Sequence, residues 1–355
     1  MGNWEENVRK VVPYVPGEQP KRANIIKLNT NENPYPPAPG VEEVLRHYQA
    51  SELRKYPDAS ATDLVNAIAE NYGVQASEVF VGVGSDDVIA MSYLTFFNGK
   101  DPILFPDITY SFYDVWAEEF RVPYVTIPLD QDFHAVLSDY DRPCGGIIIP
   151  NPNAPTGITE GRAFYEELVK RHPDQVVIID EAYIDFGGES MLPLIHTYDN
   201  LLVVQTFSKS RSLAGSRIGF AIGNEKLIKY LMDVKYSFNS YTMDSVTIQL
   251  GRAAMEDKAY FKECVGKIID TREWTKQELK RLGFVFGDSK TNFIFAKHPN
   301  LDAAEVFQEL REEGIFVRYF PKERIKDYLR ITIGRREEME TLIASLEKKV
   351  QAKSC

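Results

Sequence analysis

Short apolar runs rich in β-branched residues recur through the first two-thirds of the chain, each closed by glycine, proline, asparagine or aspartate. Residues 79–83, 103–105, 122–127, 146–150, 176–180, 201–206 and 218–222 read as strands in this way. Between them the apolar positions take helical spacing over residues 41–49, 61–72, 85–91, 113–120 and 161–171, with Leu64, Val65 and Ile68 marking one such face. Repeated strand–helix units whose strands are apolar throughout predict a mainly parallel sheet covered by helices on both faces. In such sheets the loops that hold ligands leave the C-terminal ends of the strands. After the seventh run the pattern changes. Residues 254–282 read as one long, charged amphipathic helix, followed by strands at 292–296, 315–320 and 328–333 and helices at 303–313 and 336–350. That is a smaller α+β unit. The proline-rich start, residues 11–20, is expected to be extended and to lead into a short strand at 25–28. The predicted organisation is an N-terminal segment, 1–45, packing with a small domain, 256–355, beside a large domain, 46–255.

Composition narrows the function classes. A chain of 355 residues with 44% hydrophobic and 26% charged positions is that of a soluble globular protein. A net charge of -11 argues against nucleic acid, because binding phosphate backbones needs a basic face. No run is long and apolar enough for a membrane span. The opening Met1-Gly2-Asn3-Trp4-Glu5-Glu6 lacks the basic and apolar regions of a signal peptide, and Glu6 stands where a myristoylation signal needs Ser or Thr. Cys144, Cys264 and Cys355 are scattered and odd in number, as expected of free thiols in a reducing cytoplasm. No histidines pair at ligand spacing, so no metal site is expected.

Five stretches carry candidate chemistry. The run 201–206 ends in Thr206-Phe207-Ser208-Lys209, with Arg217 and Gly219 further on. Lysine is costly to desolvate beside a buried strand, and a lysine needed as a neutral nucleophilic amine has a reason to be there. It is as readily a solvated loop lysine. The strand 176–180 closes on Asp180, with Tyr183 three residues on; a cap on the segment beginning at Glu181 is the plain alternative. The strand 146–150 runs into Asn151-Pro152-Asn153-Ala154-Pro155-Thr156-Gly157. In Gly82-Val83-Gly84-Ser85, Ser85 is expected to cap a helix whose first N–H groups form an anion site. The carboxylates of Asp86 and Asp87 are expected to turn away from it. Near the C-terminus, alternation sets Tyr328, Arg330 and Thr332 opposite Leu329, Ile331 and Ile333, and puts Arg318 on a face with Phe316 and Phe320.

These motifs, in this order, resemble those of the fold-type I pyridoxal-phosphate enzymes and, among them, the histidinol-phosphate aminotransferase family, over nearly the whole chain from Tyr14 to Arg330. The resemblance implies pyridoxal 5'-phosphate as cofactor and Lys209, Asp180 and Tyr183 as catalytic residues. Lys209 would be joined to the cofactor carbonyl and shuttle the proton at the substrate Cα. Asp180 would pair with the pyridine nitrogen, Tyr183 would bond the ring's phenolic oxygen, and Tyr110 would stack on the ring. The phosphate would take backbone N–H groups of Ser85 and Asp86, the hydroxyls of Thr206 and Ser208, and Arg217. Tyr56 would reach it from a partner subunit, implying a homodimer with shared sites. Arg318 and Arg330 would grip the anionic group of glutamate or of histidinol phosphate, with Tyr14 and Asn31 completing the pocket. In one place the chain departs from the family: Ala154 stands where an asparagine normally reaches the phenolic oxygen, and Asn153 is expected to replace it by a small shift of the loop. The implied reaction passes the amino group of L-histidinol phosphate to 2-oxoglutarate, a step of histidine biosynthesis. An aromatic amino acid aminotransferase, a threonine-phosphate-type decarboxylase and a non-catalytic cofactor-binding sensor are the competing readings.

Overall fold

The computed structural model describes residues 3–22 and 24–353; Met1, Gly2 and Cys355, on which expectations above rest, lie outside the described residues. In chain order the first part comprises β1 (Ile26–Lys27), α1 (Pro39–His47), α2 (Thr62–Tyr72), β2 (Val79–Gly82), α3 (Ser85–Phe96), β3 (Ile103–Pro106) and α4 (Tyr113–Phe120). It continues with β4 (Tyr124–Ile127), β5 (Gly146–Pro150), α5 (Arg162–Arg171), β6 (Val177–Asp180), β7 (Leu201–Thr206) and β8 (Gly219–Gly223). Among the described residues β2 to β8 form one seven-stranded sheet in the order β2-β8-β7-β6-β5-β3-β4. Only β8 is antiparallel to its neighbours in that sheet; the remaining pairs are parallel.

The uninterrupted apolar strands follow from burial on both faces. Ile147, Ile149, Val177, Ile179, Leu201 and Val203 face a core shared with α2 and α5. Ile148, Ile178, Leu202 and Val204 face the other way, into a core shared with α3 and α4. Each such side chain contributes about 1.5–3 kcal/mol by leaving water, so a polar residue at any of them would be expelled.

The chain then runs through α6 (Glu225–Phe238), α7 (Ser245–Glu256) and α8 (Lys258–Arg281). The single helix expected over 254–282 is therefore broken. Asp257 sits between α7 and α8 with φ -86 and ψ 76, and its carboxylate accepts from the Tyr260 N–H to start the second helix. Beyond lie β9 (Val285–Phe286), β10 (Phe293–Lys297), α9 (Ala303–Glu312), β11 (Ile315–Phe316), β12 (Arg318–Tyr319), β13 (Leu329–Thr332) and α10 (Arg336–Lys353). The expected strand 315–320 is two short pieces, because it changes partner at Val317. Its first half pairs in parallel with β1, and its second joins the antiparallel sheet β12-β13-β10-β9. The N-terminal segment is thereby tied to the C-terminal third of the chain, and Leu28 is buried in the same apolar cluster as Ile294, Ile331 and Leu342. No helix among the described residues is long and apolar enough to cross a membrane.

Candidate active site

The C-terminal ends of β5, β6 and β7 open on one cavity of about 390 Å³. Ser85, Asp86, Tyr110, Asp180, Tyr183, Thr206, Ser208, Lys209 and Arg217 all line it. A contiguous cavity adds Tyr14, Asn31, Arg318 and Arg330 to walls that again include Tyr110, Tyr183 and Lys209. Residues from eight separate stretches of sequence thus converge where an open α/β sheet places its ligands.

At one end the groups suit an anion. Thr206 Oγ1 donates to Ser208 Oγ at 3.0 Å, and Arg217 Nη1 lies 3.4 Å from Ser208 Oγ. The first turn of α3 points its N–H groups here, where no intrahelical acceptor exists. Ser85 is not the cap. Gly84 holds that position with φ +87, a conformation glycine tolerates, and Ser85 is the first helical residue. A side chain at Gly84 would strike the Arg217 guanidinium, and one at Gly219 would strike the backbone of Gly84 and Ser85. Both glycines allow α3, β8 and Arg217 to close together. Asp87 does turn away, accepting from the Val83 N–H at 2.9 Å. Asp86 does not: its Oδ2 pairs with Arg217 Nη2 at 3.0 Å, and its Oδ1 accepts from Tyr110 Oη at 2.7 Å. Two donors at the cavity wall attract this carboxylate inward, which local sequence did not reveal.

Deeper in lies Asp180. Burial pushes its carboxyl up to about 6, against the opposing pull of hydrogen bonds from Tyr113 Oη at 2.7 Å and the Ala182 N–H at 3.2 Å. Among the described residues no cationic side chain forms an ion pair with it. The neighbouring Glu181 points the other way, accepting from Ser190 Oγ, Met191 N and Gln205 Nε2, and burial pushes it up to about 7. Tyr113 was not singled out from the sequence, where it reads as one more core aromatic at the start of a helix. Its hydroxyl finds Asp180 only through the packing of α4 against the sheet.

Lys209 Nζ donates to the Thr30 carbonyl at 3.3 Å and lies 5.6 Å from the centre of the Tyr183 ring. Tyr183 Oη accepts from Asn31 Nδ2 at 2.8 Å. Thr30 and Glu32, also overlooked in the sequence, line the same cavity. Arg330 is held by the Asn29 carbonyl at 2.9 Å and lies over the rings of Phe293 and Phe320. Its Nε has no hydrogen-bond partner, and burial lowers its affinity for its proton. A buried guanidinium with an unused donor has an incentive to take an anion.

Two expected residues do not line these cavities, and for one of them, Tyr56, the expected site belongs to a partner subunit. Asn153 does not line either cavity: its amide is spent on the Ile108 carbonyl, Thr109 Oγ1 and Thr156 Oγ1, and Ala154 presents its methyl instead. The proposed shift of Asn153 toward a phenolic oxygen would leave those partners unsatisfied. Tyr56 stands outside the cavities, 83% exposed and packed on Tyr241 with ring centres 4.8 Å apart.

A phosphorylated pyridine aldehyde fits this donor set. Hydroxyls, a guanidinium and helix N–H groups stand at one end, and aromatic rings line the wall. The same cavity holds a buried carboxylate with no ion-pair partner among the described residues, and a primary amine. The cationic ring nitrogen would supply the charge that Asp180 is missing.

Comparison with known proteins points the same way. The family described as aminotransferase class I and II matches residues 23–346. A histidinol-phosphate aminotransferase of Chromohalobacter salexigens is 52% identical over 344 residues, 97% of this chain and 98% of its own. One from Lactococcus lactis subsp. cremoris is 50% identical over 351 residues, 99% of each chain. The solved structure of the histidinol-phosphate aminotransferase of Sinorhizobium meliloti, in complex with pyridoxal-5'-phosphate, superposes with a TM-score of 0.82 at 23% identity, over 92% of this chain and 91% of that one. At that identity the likeness speaks for the fold. With its fold, its full-length relatives and the family match in agreement, this chain belongs to the class I and II aminotransferases.

Proposed function

We propose that this chain is a histidinol-phosphate aminotransferase, which passes the amino group of L-histidinol phosphate to 2-oxoglutarate and serves histidine biosynthesis. Imidazole acetol phosphate and L-glutamate are the products, and pyridoxal 5'-phosphate is the cofactor. The observation that carries the reading is that Arg318 and Arg330 open onto a cavity also lined by Lys209, in a chain half-identical to histidinol-phosphate aminotransferases along its length. When bound, the cofactor supplies the electron sink that loosens the bonds at the substrate Cα. Lys209 anchors it and then, as a free amine, carries the proton removed from Cα. Asp180 keeps the pyridine nitrogen protonated by charge pairing. Arg217, Thr206 and Ser208 bind the phosphate. Arg330, fixed on two aromatic rings, and Arg318, within 5.4 Å of Phe320, hold the carboxylate of one substrate and the phosphate of the other. Tyr14 and Asn31 stand at the same wall.

The reading extends to a homodimer in which Tyr56 serves the partner's phosphate site. Support comes from the exposed apolar side chains of Tyr241, which packs on it, and of Leu53, three residues before it in the chain. It also takes residues 46–255 and 256–355 as large and small domains, in a protein of the cytoplasm with free thiols at Cys144 and Cys264.

The decisive experiment is a steady-state comparison of amino donors with 2-oxoglutarate as acceptor. Histidinol phosphate is expected to give a kcat/KM far above that of phenylalanine or tyrosine, and Lys209→Ala to abolish turnover while leaving the fold intact. A phenylalanine kcat/KM equal to or above that for histidinol phosphate would replace the assignment with an aromatic aminotransferase. Release of CO2 from threonine phosphate would replace it with a decarboxylase.

A further inference from the structure

Asn31 is held more firmly than a substrate contact needs. It is 1% exposed, with φ +57, and four hydrogen bonds define it. Its N–H donates to Thr332 Oγ1 at 3.0 Å, and its carbonyl accepts from Asn292 Nδ2 at 2.9 Å. Thr332 Oγ1 donates to its Oδ1 at 2.9 Å, and its Nδ2 donates to Tyr183 Oη at 2.8 Å. The direction of this chain is set by counting protons. Thr332 Oγ1 already accepts from the Asn31 backbone, so the proton of that buried hydroxyl needs an acceptor, and Asn31 Oδ1 is the one in reach. Rotating the amide by half a turn would strand that proton in the interior with no acceptor. The NH2 group must therefore face Tyr183. A phenol that accepts there keeps its single proton for another direction, and the open direction is the cavity.

The second observation is the loop that follows β5. Ala154 offers no amide to the cavity, and Asn153 is engaged elsewhere. The carboxamide in contact with the catalytic phenol comes instead from the N-terminal segment, oriented by a strand of the C-terminal sheet.

We propose that Asn31 is a positioning residue: aligned by Thr332, its amide donates to Tyr183 Oη and so directs the phenol's own proton toward the ring oxygen of the cofactor. This rests on the cofactor reading above. A phenol that donates to that oxygen favours its anionic form and lowers the pH at which the bound chromophore loses its proton.

The test is a spectrophotometric pH titration of the cofactor-loaded protein. Asn31→Asp is nearly isosteric but can only accept, so the phenol turns its proton toward residue 31. The titration midpoint is expected to rise by roughly one pH unit or more. Thr332→Val frees the amide to rotate and should give a smaller rise without adding charge. Thr332→Ser, which keeps the hydroxyl, should titrate as the wild type. In a Tyr183→Phe background the Asn31→Asp shift should largely vanish, whereas a simple charge effect of the new carboxylate would persist. Unchanged midpoints in Asn31→Asp and Thr332→Val, or a shift undiminished in the Tyr183→Phe background, would overturn the proposal and leave the function reading standing. A wild-type protein that acquires no chromophore would overturn both.

Discussion

Arg217 Nη2 stands 3.0 Å from Asp86 Oδ2, so the guanidinium at the anion-binding end of the cavity shares its charge with a carboxylate 131 residues away in sequence. Both side chains are more than one-third exposed, which keeps the pair worth about 1 kcal/mol or less. An incoming phosphate meets Asp86 as a repulsive neighbour as well as Arg217 as a partner. Asp86→Asn keeps an acceptor for Tyr110 and removes that repulsion. It should tighten inorganic phosphate binding to cofactor-free protein by about threefold to tenfold. Arg217→Ala should weaken it by tenfold or more, at about 1.5–3 kcal/mol for a charged hydrogen bond. Titration calorimetry distinguishes the two directions.

Asp180 is a functional group held at a cost to stability. Its carboxyl is raised from 3.8 to about 6 in the folded chain, so between those values the folded state keeps a proton that the unfolded state has released. Stability therefore falls as pH rises through that window and stays lower above it, by about 3 kcal/mol at ~1.4 kcal/mol per pK unit. Asp180→Asn removes the penalty. The cofactor-free variant should be more stable than wild type in urea at pH 8 and little different at pH 4, while its affinity for pyridoxal phosphate falls. Equal stability at both pH values would contradict the assignment.

Tyr113→Phe deletes the hydroxyl that donates to Asp180 Oδ2. Because that bond favours the charged carboxylate, its loss should cost about 1.5–3 kcal/mol at pH 8, where Asp180 is ionised, and less at pH 5, where the proton compensates. Denaturation midpoints of cofactor-free protein at the two pH values provide the check.

Arg330→Lys keeps a charge and loses the planar fork that rests between Phe293 and Phe320. The kcat/KM for 2-oxoglutarate should fall by roughly a hundredfold, with cofactor binding unchanged. A fall in cofactor affinity instead would move Arg330 out of the substrate site.

If Tyr56 completes the partner's site, Lys209→Ala and Tyr56→Glu protomers should complement each other. Half the dimers in an equal, fully exchanged mixture are hybrids with one intact site, so activity should recover to about a quarter of wild type. Two inactive proteins whose mixture stays inactive would place Tyr56 outside any shared site.

Much of this protein follows from local pattern. The apolar runs that became β2, β3 and β5 to β8 are buried on both faces, and any other secondary structure would leave them in water. Because ligands gather where such strands end, Asp180, Thr206, Ser208 and Lys209 could be grouped from their positions in the chain alone. What the sequence left open is which side chains meet across the cavity. Asn31 and Tyr183 lie 152 residues apart, and no local signal separates Asn31 from Asn29 or Asn33, or Asn153 from Asn151. Asn153 is drawn inward because Ile108, Thr109 and Thr156 need partners, Asp86 is drawn toward the cavity by Arg217 and Tyr110, and Tyr113 is pressed onto Asp180 by the packing of α4. Periodicity is a property of a few consecutive residues and survives in the sequence. Hydrogen-bond partnership in a low-dielectric interior is settled by whichever buried donors and acceptors the completed fold brings within 3 Å of one another.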